Sequence, residues 1–229
     1  DCIVIKSNSR SAVAEMFRLL RTNLQFVLGD AKSPVILVTS GVSGEGKTFI
    51  SANLGMTMAL SGKRTVVLGL DLRKPKLGQY LGEGTPPFGI THYLIGQADA
   101  DAIIMSSPQS EHLHYIATGP LPPNPGELIL NGKLEILFQE LRQRFDCIVV
   151  DTAPVGLVAD ALLLMPFVHA TICVARAGKT DKSLVRFVEQ LHQEGKLRHP
   201  GLVLNGVKKG KGYGYGGYGY GYGYGYYQE

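Results

Sequence analysis

The chain has 229 residues, and its net formal charge of +4 and apolar fraction of 45% are ordinary for a globular protein. A chain of this length can bury a full core and fits one α/β domain with an appendage. Because the basic residues near the C-terminus, Lys208, Lys209 and Lys211, form only a small patch, no nucleic-acid partner is expected.

Three cysteines, Cys2, Cys147 and Cys173, lack the spacing of a metal site, and two of them fall in predicted strands. They indicate buried, reduced thiols in a cytosolic protein. No apolar run approaches the ~18 residues of a membrane span, and no signal peptide is recognisable. Because the chain begins at Asp1 rather than Met, we expect a fragment of a longer protein, with the sequence of a soluble domain.

The first predicted helix begins after Ser11, a suitable N-cap, and ends near Leu28. Its apolar stripe consists of Val13, Met16, Phe17, Leu20, Leu24 and Val27. Glu15, Arg18 and Arg21 follow at i, i+3 and i+6 and therefore share one polar face. Their spacing alone indicates a solvated charged face with local pairing.

Residues 34–48 read P-V-I-L-V-T-S-G-V-S-G-E-G-K-T, an apolar β-branched run followed by a glycine-rich loop. Helical periodicity continues over residues 49–60. The loop matches G-x-x-x-x-G-K-[ST] at Gly41, Val42, Ser43, Gly44, Glu45, Gly46, Lys47 and Thr48. Such a loop binds phosphate through backbone N–H groups and a helix N-terminus. The pattern predicts that Lys47 reaches the β/γ-phosphates and that Thr48 binds Mg²⁺.

Two acids follow predicted strands further along the chain. Asp71 comes after the strand over residues 64–70, and Asp151 comes after the strand over residues 147–150. The carboxyl ends of parallel strands form the ligand edge of a doubly wound sheet, and carboxylates suit Mg²⁺. Arg73 is close enough in sequence to Asp71 to neutralise transition-state charge. The alternatives are a surface ion pair for Asp71 and an ordinary strand-end turn for Asp151.

The remaining segments alternate between helix and strand. Residues 76–87 are predicted as loop, 90–95 as helix, 114–118 as strand, 125–145 as helix with a break near Asn131-Gly132, 157–165 as helix, 170–175 as strand, 181–194 as helix and 202–207 as strand. The fold class is α/β of the P-loop NTPase type, with a mostly parallel sheet and helices on both faces.

The composition changes at Gly210, after which glycine and tyrosine alternate. Eight of the eleven tyrosines of the chain fall in this tail: Tyr213, Tyr215, Tyr218, Tyr220, Tyr222, Tyr224, Tyr226 and Tyr227. Such a segment lacks an aliphatic core and should be flexible in isolation. The predicted division is a P-loop domain over residues 1–209 and a tail over residues 210–229. Taken alone, the tail is equally typical of an adhesive low-complexity segment.

Several motifs together give the chain a resemblance to bacterial tyrosine kinases, the P-loop autokinases linked to capsular and exopolysaccharide export. They are G-V-S-G-E-G-K-T, V-V-L-G-L-D-L-R-K-P, P-P-N-P-G-E-L, I-V-V-D-T-A-P and the terminal tyrosine cluster. The resemblance implies ATP as phosphate donor, ADP as product, Mg²⁺ as cofactor and the eight tail tyrosines as acceptors. It also implies catalytic roles for Lys47, Asp71, Arg73 and Asp151, with Thr48, Asp71 and Asp151 as metal ligands.

Members of that family transfer phosphate between neighbouring subunits of a ring through an E-x-x-R-x-x-R helix, which Glu15, Arg18 and Arg21 match. The resemblance further implies a membrane adaptor or fused transmembrane region, a tyrosine phosphatase, and a place at the cytoplasmic face of the bacterial inner membrane. In one respect the chain departs from the family. The second acidic motif of the family is usually D-x-D-x-R, but here Gly69 replaces the first acid, the one often proposed as base. Asp71 is then the favoured base, with Asp151 or no strong base as alternatives.

Two other classes of protein remain as alternatives. One is a nucleotide-switched scaffold ATPase of the MinD/ParA type, which hydrolyses ATP without a tyrosine substrate. Such proteins commonly carry a second lysine early in the P-loop, and Gly41-Val42-Ser43 has none. The other is a non-catalytic adhesive module in which the P-loop serves only to order the fold.

Overall fold

The computed structural model describes residues 2–7, 9–82 and 86–208. In this part of the chain seven strands form one sheet: β1 (Val35–Ser40), β2 (Thr65–Leu70), β3 (Met105–Ser106), β4 (Leu113–Ile116), β5 (Cys147–Thr152), β6 (Ala170–Arg176) and β7 (Pro200–Asn205). Their order is β3-β4-β2-β5-β1-β6-β7, and all neighbours are parallel except β3 and β4. The predicted mostly parallel sheet is confirmed. Lys209, Lys211 and the tail tyrosines lie outside the described residues.

Helices cover both faces of the sheet. In the described residues they are α1 (Ala12–Leu28), α2 (Lys47–Ala59), α3 (Leu77–Leu81), α4 (Ile90–Ile95), α5 (Ala100–Ile103), α6 (Pro125–Ile129), α7 (Lys133–Arg144), α8 (Asp160–Leu163) and α9 (Ser183–Gln193). Alternate residues of β1 enter opposite cores. Val35 and Leu37 pack in the cluster that contains α4, α7 and α9, whereas Ile36 and Val38 pack in the cluster that contains α1, α2 and α3. Burial on both faces explains the continuous apolar run.

The sheet topology brings three chain segments to one edge. β1 pairs with β5, and β5 pairs with β2, all in parallel. Parallel strands present their carboxyl ends at the same edge, so the P-loop after β1 and Asp71 after β2 lie on either side of the end of β5. Asp151 lies within β5, which extends two residues beyond the predicted end at residue 150. The sheet therefore assembles the predicted phosphate loop and both predicted acids.

Some helix boundaries differ from those predicted. The segment predicted as loop contains α3, because Leu77 and Leu81 lie one helical turn apart and are both buried. The helix predicted over 157–165 is reduced to the four residues of α8. The predicted break near residue 132 is confirmed, with Gly132 at φ +80° between α6 and α7.

The first helix follows its predicted limits, and the Ser11 side chain accepts a hydrogen bond from the N–H of Ala14 at 3.2 Å. The predicted apolar stripe was too broad. Phe17 and Leu24 are buried, whereas Val13, Met16 and Val27 are each about half exposed. Within the described residues, no helix has the length and apolar character needed to cross a bilayer.

Candidate active site

The P-loop connects β1 to α2, and its conformation depends on glycine. Gly44 has φ +82° and Gly46 has φ +100°, both in the left-handed region that L side chains rarely adopt. Gly46 is also the N-cap of α2, so the helix begins at Lys47. A Cβ atom at position 46 would overlap the side-chain amide of Asn205. Close packing against β7 therefore adds a second requirement for glycine at this position.

Three consecutive carbonyls of the P-loop accept hydrogen bonds from side chains at the end of β6, just beyond it, and at the end of β7. The donors are Lys179 Nζ to Ser43 O at 3.1 Å, Arg176 Nη1 to Gly44 O at 3.0 Å, and Asn205 Nδ2 to Glu45 O at 2.9 Å. In a trans peptide the N–H points opposite to the C=O. The N–H groups of Gly44, Glu45 and Gly46 are thus directed away from these donors, as anion binding by such a loop requires.

Glu45 links the P-loop to the segment after β6. Its side chain is buried, and its carboxylate accepts hydrogen bonds from the N–H of Val42 at 2.9 Å and from the hydroxyl of Thr180. Thr180 also accepts a hydrogen bond from the N–H of Arg176 at 2.7 Å. Thr180 lies just before the helix predicted over residues 181–194, and that helix, α9, begins at Ser183. Arg176, Lys179 and Asn205 were missed, since no local motif indicates contacts this distant in sequence.

Asp151 and Thr48 are in direct contact. Thr48 Oγ1 donates to Asp151 Oδ2 at 2.8 Å, and Ser51 Oγ donates to Asp151 Oδ1 at 3.2 Å. Burial raises the pKa of Asp151 to about 7, although the Thr48 hydrogen bond and the charge of Lys47 oppose this shift. A buried carboxylate next to the Thr48 hydroxyl offers oxygen ligands of the kind that suit a hard cation. Ser51 is an additional contact that the sequence motifs did not indicate.

Lys47 is also buried, which lowers the pKa of its amine, while the charges of Asp151, Asp71 and Glu45 oppose that shift. Both strand-end acids therefore favour the charged form of the Lys47 amine. No group of three or more His, Cys, Asp or Glu side chains able to hold a metal lies within residues 2–7, 9–82 and 86–208. Thr48, Asp151 and Asp71 nevertheless fit Mg²⁺, because this ion is commonly held by one or two carboxylates together with substrate phosphates and water.

The other predicted site residues lie in the turn after β2. Asp71 Oδ1 accepts hydrogen bonds from the N–H groups of Arg73 at 3.2 Å and Lys74 at 2.9 Å. The guanidinium of Arg73 binds the carboxylate of Asp160 with two hydrogen bonds, Nε to Oδ2 at 2.9 Å and Nη2 to Oδ1 at 3.1 Å. Asp160 is buried and was not singled out from the sequence, where no pattern distinguishes it.

Gly69 occupies a crowded position at the end of β2, opposite Asp151 on β5. A Cβ atom there would lie 3.1 Å from Thr118 Oγ1, 3.3 Å from Ile116 O and 3.4 Å from Leu77 Cβ. Thr118 Oγ1 donates to Gly69 O at 2.9 Å, and this hydrogen bond keeps the Thr118 hydroxyl next to Gly69. The space next to the Cα of Gly69 is therefore filled by neighbouring groups. This explains why an acid would not fit here without rearrangement.

Restoring an acid at this position is expected to damage the protein. Gly69→Asp should lower the free energy of unfolding by about 1–3 kcal/mol, because it overpacks the site and buries a carboxylate. Turnover should not rise. Urea unfolding and the rate of ATP consumption measure the two effects. Gly201→Asp is the matched control, since it also lies in a parallel strand but has nothing within 4 Å of the added Cβ. A stable Gly69→Asp variant with faster turnover would contradict the packing argument.

The predicted interface residues lie on α1. Arg18 is paired with Glu15, and its Nη2 donates to Ser9 O at 2.7 Å. Arg21 Nε is buried and has no hydrogen-bond partner in the described part of the chain. Local pairing, the alternative considered from the sequence, therefore accounts for Glu15 and Arg18 but not for Arg21.

Comparison with known proteins agrees with this geometry. The family model of the CobQ/CobB/MinD/ParA nucleotide-binding domain matches residues 36–214, which include the P-loop and both acids. The chain is 31% identical over 210 residues to the tyrosine-protein kinase YwqD of Bacillus subtilis, covering 91% of this chain and 87% of the relative. The chain belongs to the bacterial tyrosine kinases. It is therefore an enzyme with a nucleotide-binding P-loop.

Solved structures support the family assignment. The kinase domain of the Escherichia coli tyrosine kinase ETK matches this kinase with a TM-score of 0.80 and 28% identity, covering 91% of this chain and 80% of that one. The septum site-determining protein MinD of Pyrococcus horikoshii matches with a TM-score of 0.62 at 21% identity, which shows a shared fold alone. A tyrosine-protein kinase in a cps region of Klebsiella pneumoniae is 31% identical over 207 residues, and this chain spans 28% of its length.

Proposed function

We propose that this kinase transfers the γ-phosphate of ATP to tyrosines of its own C-terminal tail. The observation that carries the proposal is the contact between Thr48 and Asp151 beside the buried Lys47, in a chain that ends with clustered tyrosines. The tail supplies the acceptor that a P-loop needs for group transfer to protein. Autophosphorylation is therefore favoured over hydrolysis of ATP without a protein substrate.

Each group of the site has a role in this proposal. Backbone N–H groups of the P-loop and the Lys47 ammonium group bind and orient the phosphates. Thr48, Asp71 and Asp151 would hold Mg²⁺, which when bound neutralises phosphate charge. Asp71 is the favoured base for the tyrosine hydroxyl, although a loose transition state needs little help from a base. Unchanged turnover of Asp71→Asn at saturating Mg²⁺ would contradict that role.

Transfer between subunits is the second part of the proposal. Glu15, Arg18 and Arg21 would contact a neighbouring subunit in a ring. Arg21 lies on α1 three residues beyond Arg18, so Glu15, Arg18 and Arg21 share one helix face that a neighbour could contact. The half-exposed Val13 and Met16 lie on the same helix and would also lose solvent in such a contact. The tail of one subunit would then serve as the substrate of the next.

Phosphorylation of the tail would weaken this assembly. Each phosphate adds a charge of about −1.5 to −2, so several modified tyrosines make the tail strongly anionic. Modified tails would repel one another and leave the active sites. Lys208, together with Lys209 and Lys211, would moderate the repulsion at the base of the tail.

The relatives support a proposal for the cellular setting. We propose a role in capsular or exopolysaccharide production and export, as the cps region of the Klebsiella relative suggests. Because that relative is much longer, a fused transmembrane region or a separate membrane adaptor is the proposed partner, at the cytoplasmic face of the inner membrane. A tyrosine phosphatase would reset the tail. A switch ATPase of the MinD/ParA type is the second candidate, supported by the shared fold.

Incubation with labelled ATP and Mg²⁺ followed by peptide mapping tests the proposal. We expect phosphotyrosine within residues 213–227 of the wild type and none in Lys47→Met, because this change removes the cation that binds the phosphates. Light scattering of the same two preparations should show smaller assemblies for the phosphorylated protein. ATP hydrolysis without tyrosine label would favour the switch ATPase, and equal assembly size would contradict the charge switch.

A further inference from the structure

The ion pair between Arg73 and Asp160 joins two loops at the ligand edge of the sheet. Arg73 lies three residues beyond the end of β2, and Asp160 begins α8, eight residues beyond the end of β5. These strands are direct neighbours, with Leu70 opposite Thr152 at their carboxyl ends. The pair therefore bridges the segments that follow two adjacent strands. Asp71 comes directly after the first of these strands, β2, and Asp151 lies near the end of the second, β5.

The pair has the geometry of a rigid link. Two guanidinium nitrogens bind two carboxylate oxygens, at 2.9 Å and 3.1 Å, which is the bidentate arrangement that restricts orientation as well as distance. The side chain of Asp160 is only 5% exposed, whereas that of Arg73 is 44% exposed. A buried carboxylate without a cation is costly, so Asp160 has a strong requirement for Arg73.

This link extends to Asp71 through the backbone. The N–H of Arg73 donates to Asp71 Oδ1, as does the N–H of Lys74. A residue whose side chain is fixed by Asp160 thus supplies one of the two main-chain donors that orient the Asp71 carboxylate. The orientation of Asp71 is in this way coupled to a buried acid on a different element.

We propose that Asp160 is a positioning residue whose carboxylate clamps Arg73 and thereby holds the turn of residues 71–74 in place. In this proposal Arg73 holds the turn in position. The sequence had instead suggested that Arg73 neutralises transition-state charge directly. Its consequence for catalysis rests on the proposed function, namely on the assignment of Asp71 to the magnesium nucleotide.

The chain contains a matched control pair at the opposite end of the same two strands. Arg64, just before β2, binds Asp146, just before β5, with Nη2 to Oδ1 at 3.0 Å and Nε to Oδ2 at 3.3 Å. The N–H of Arg64 also donates to Asp146 Oδ2, at 2.9 Å. Asp146→Asn therefore breaks the same kind of contact between the same strands, but at the edge far from the P-loop.

The first measurement is amide hydrogen exchange in the nucleotide-free protein. Asp160→Asn and Arg73→Ala should each accelerate exchange of the Arg73 and Lys74 amides about tenfold, because the turn that protects them is released. The double variant should show no further acceleration, since both changes break one contact. Asp146→Asn should leave these two amides unchanged. Unchanged exchange in Asp160→Asn, or equal acceleration in Asp146→Asn, would overturn the clamp.

The second measurement is the Mg²⁺ concentration that half-saturates binding of a fluorescent ADP analogue, which avoids turnover. We expect about a tenfold rise in Asp160→Asn, the size typical for loss of an outer partner of a metal ligand. Binding of the analogue in EDTA, and the Mg²⁺ dependence of Asp146→Asn, should match the wild type. Faster exchange with an unchanged Mg²⁺ dependence would uphold the clamp and overturn the assignment of Asp71 to the metal.

Turnover separates the clamp from a direct role for Arg73. The clamp predicts that Arg73→Ala and Asp160→Asn lower kcat by similar factors and that the double variant is no worse. A far larger loss in Arg73→Ala than in Asp160→Asn would overturn the inference, because the guanidinium would then act on the transferred phosphate itself.

Discussion

At pH 8 and without nucleotide, Asp151→Asn is expected to unfold about 4 °C above the wild type, while losing about 100-fold or more in kinase activity. The carboxylate is buried, and burial raises its pKa to about 7. The wild type must therefore keep a charged group out of water at pH 8. An amide has no such charge, and its oxygen can still accept the hydrogen bond from Thr48.

The pH dependence gives this prediction its sign. The pKa of Asp151 rises on folding from 3.8 to about 7, so the folded state holds a proton that the unfolded state has already lost. The wild type thus loses stability as pH rises from about 4 to about 7. The advantage of Asp151→Asn should widen across this interval and stay constant above it. Thermal unfolding in EDTA at several pH values measures it.

Asp146→Asn is the control with the opposite sign. The hydrogen bond from Arg64 holds the pKa of Asp146 below its ordinary value. Its contribution to stability is therefore present above about pH 4 and is lost as pH falls. Asp146→Asn should be slightly less stable than the wild type at neutral pH, because the exposed pair contributes little. A lower stability of Asp151→Asn at pH 8 would contradict the argument from burial.

Gly46→Ala is expected to abolish nucleotide binding and to lower the free energy of unfolding by about 2–4 kcal/mol. The position has φ +100°, which an alanine adopts only with strain. The added Cβ would also displace Asn205 from its contact with Glu45 O and move the start of α2. Fluorescent ADP titration and urea unfolding measure the two effects.

Gly178→Ala separates strain from packing. Gly178 has φ +71°, but nothing lies within 4 Å of its added Cβ. This variant should show only the strain, about 1–2 kcal/mol, and should bind nucleotide normally. Equal loss of stability in both variants, with nucleotide binding retained by Gly46→Ala, would show that contact with Asn205 has no role in shaping the P-loop.

The amino-acid sequence by itself determined the parts of this kinase that depend on neighbouring residues. The P-loop was predictable because its glycines, lysine and threonine are consecutive and their conformational needs are local. The placement of Asp71 and Asp151 at one edge was also predictable. Alternating strands and helices give a parallel sheet, and its carboxyl ends meet at that edge.

Only the tertiary structure decided which distant groups support that loop. The carboxylate of Glu45 meets Thr180, and its carbonyl meets Asn205, although more than a hundred residues separate them in sequence. The sequence likewise did not indicate that Asp160 on α8 is the partner of Arg73. Nor did it indicate the crowding that excludes a side chain at position 69. Such contacts depend on strand order and on how loops pack at the sheet edge. These properties belong to the assembled chain, so no short motif encodes them.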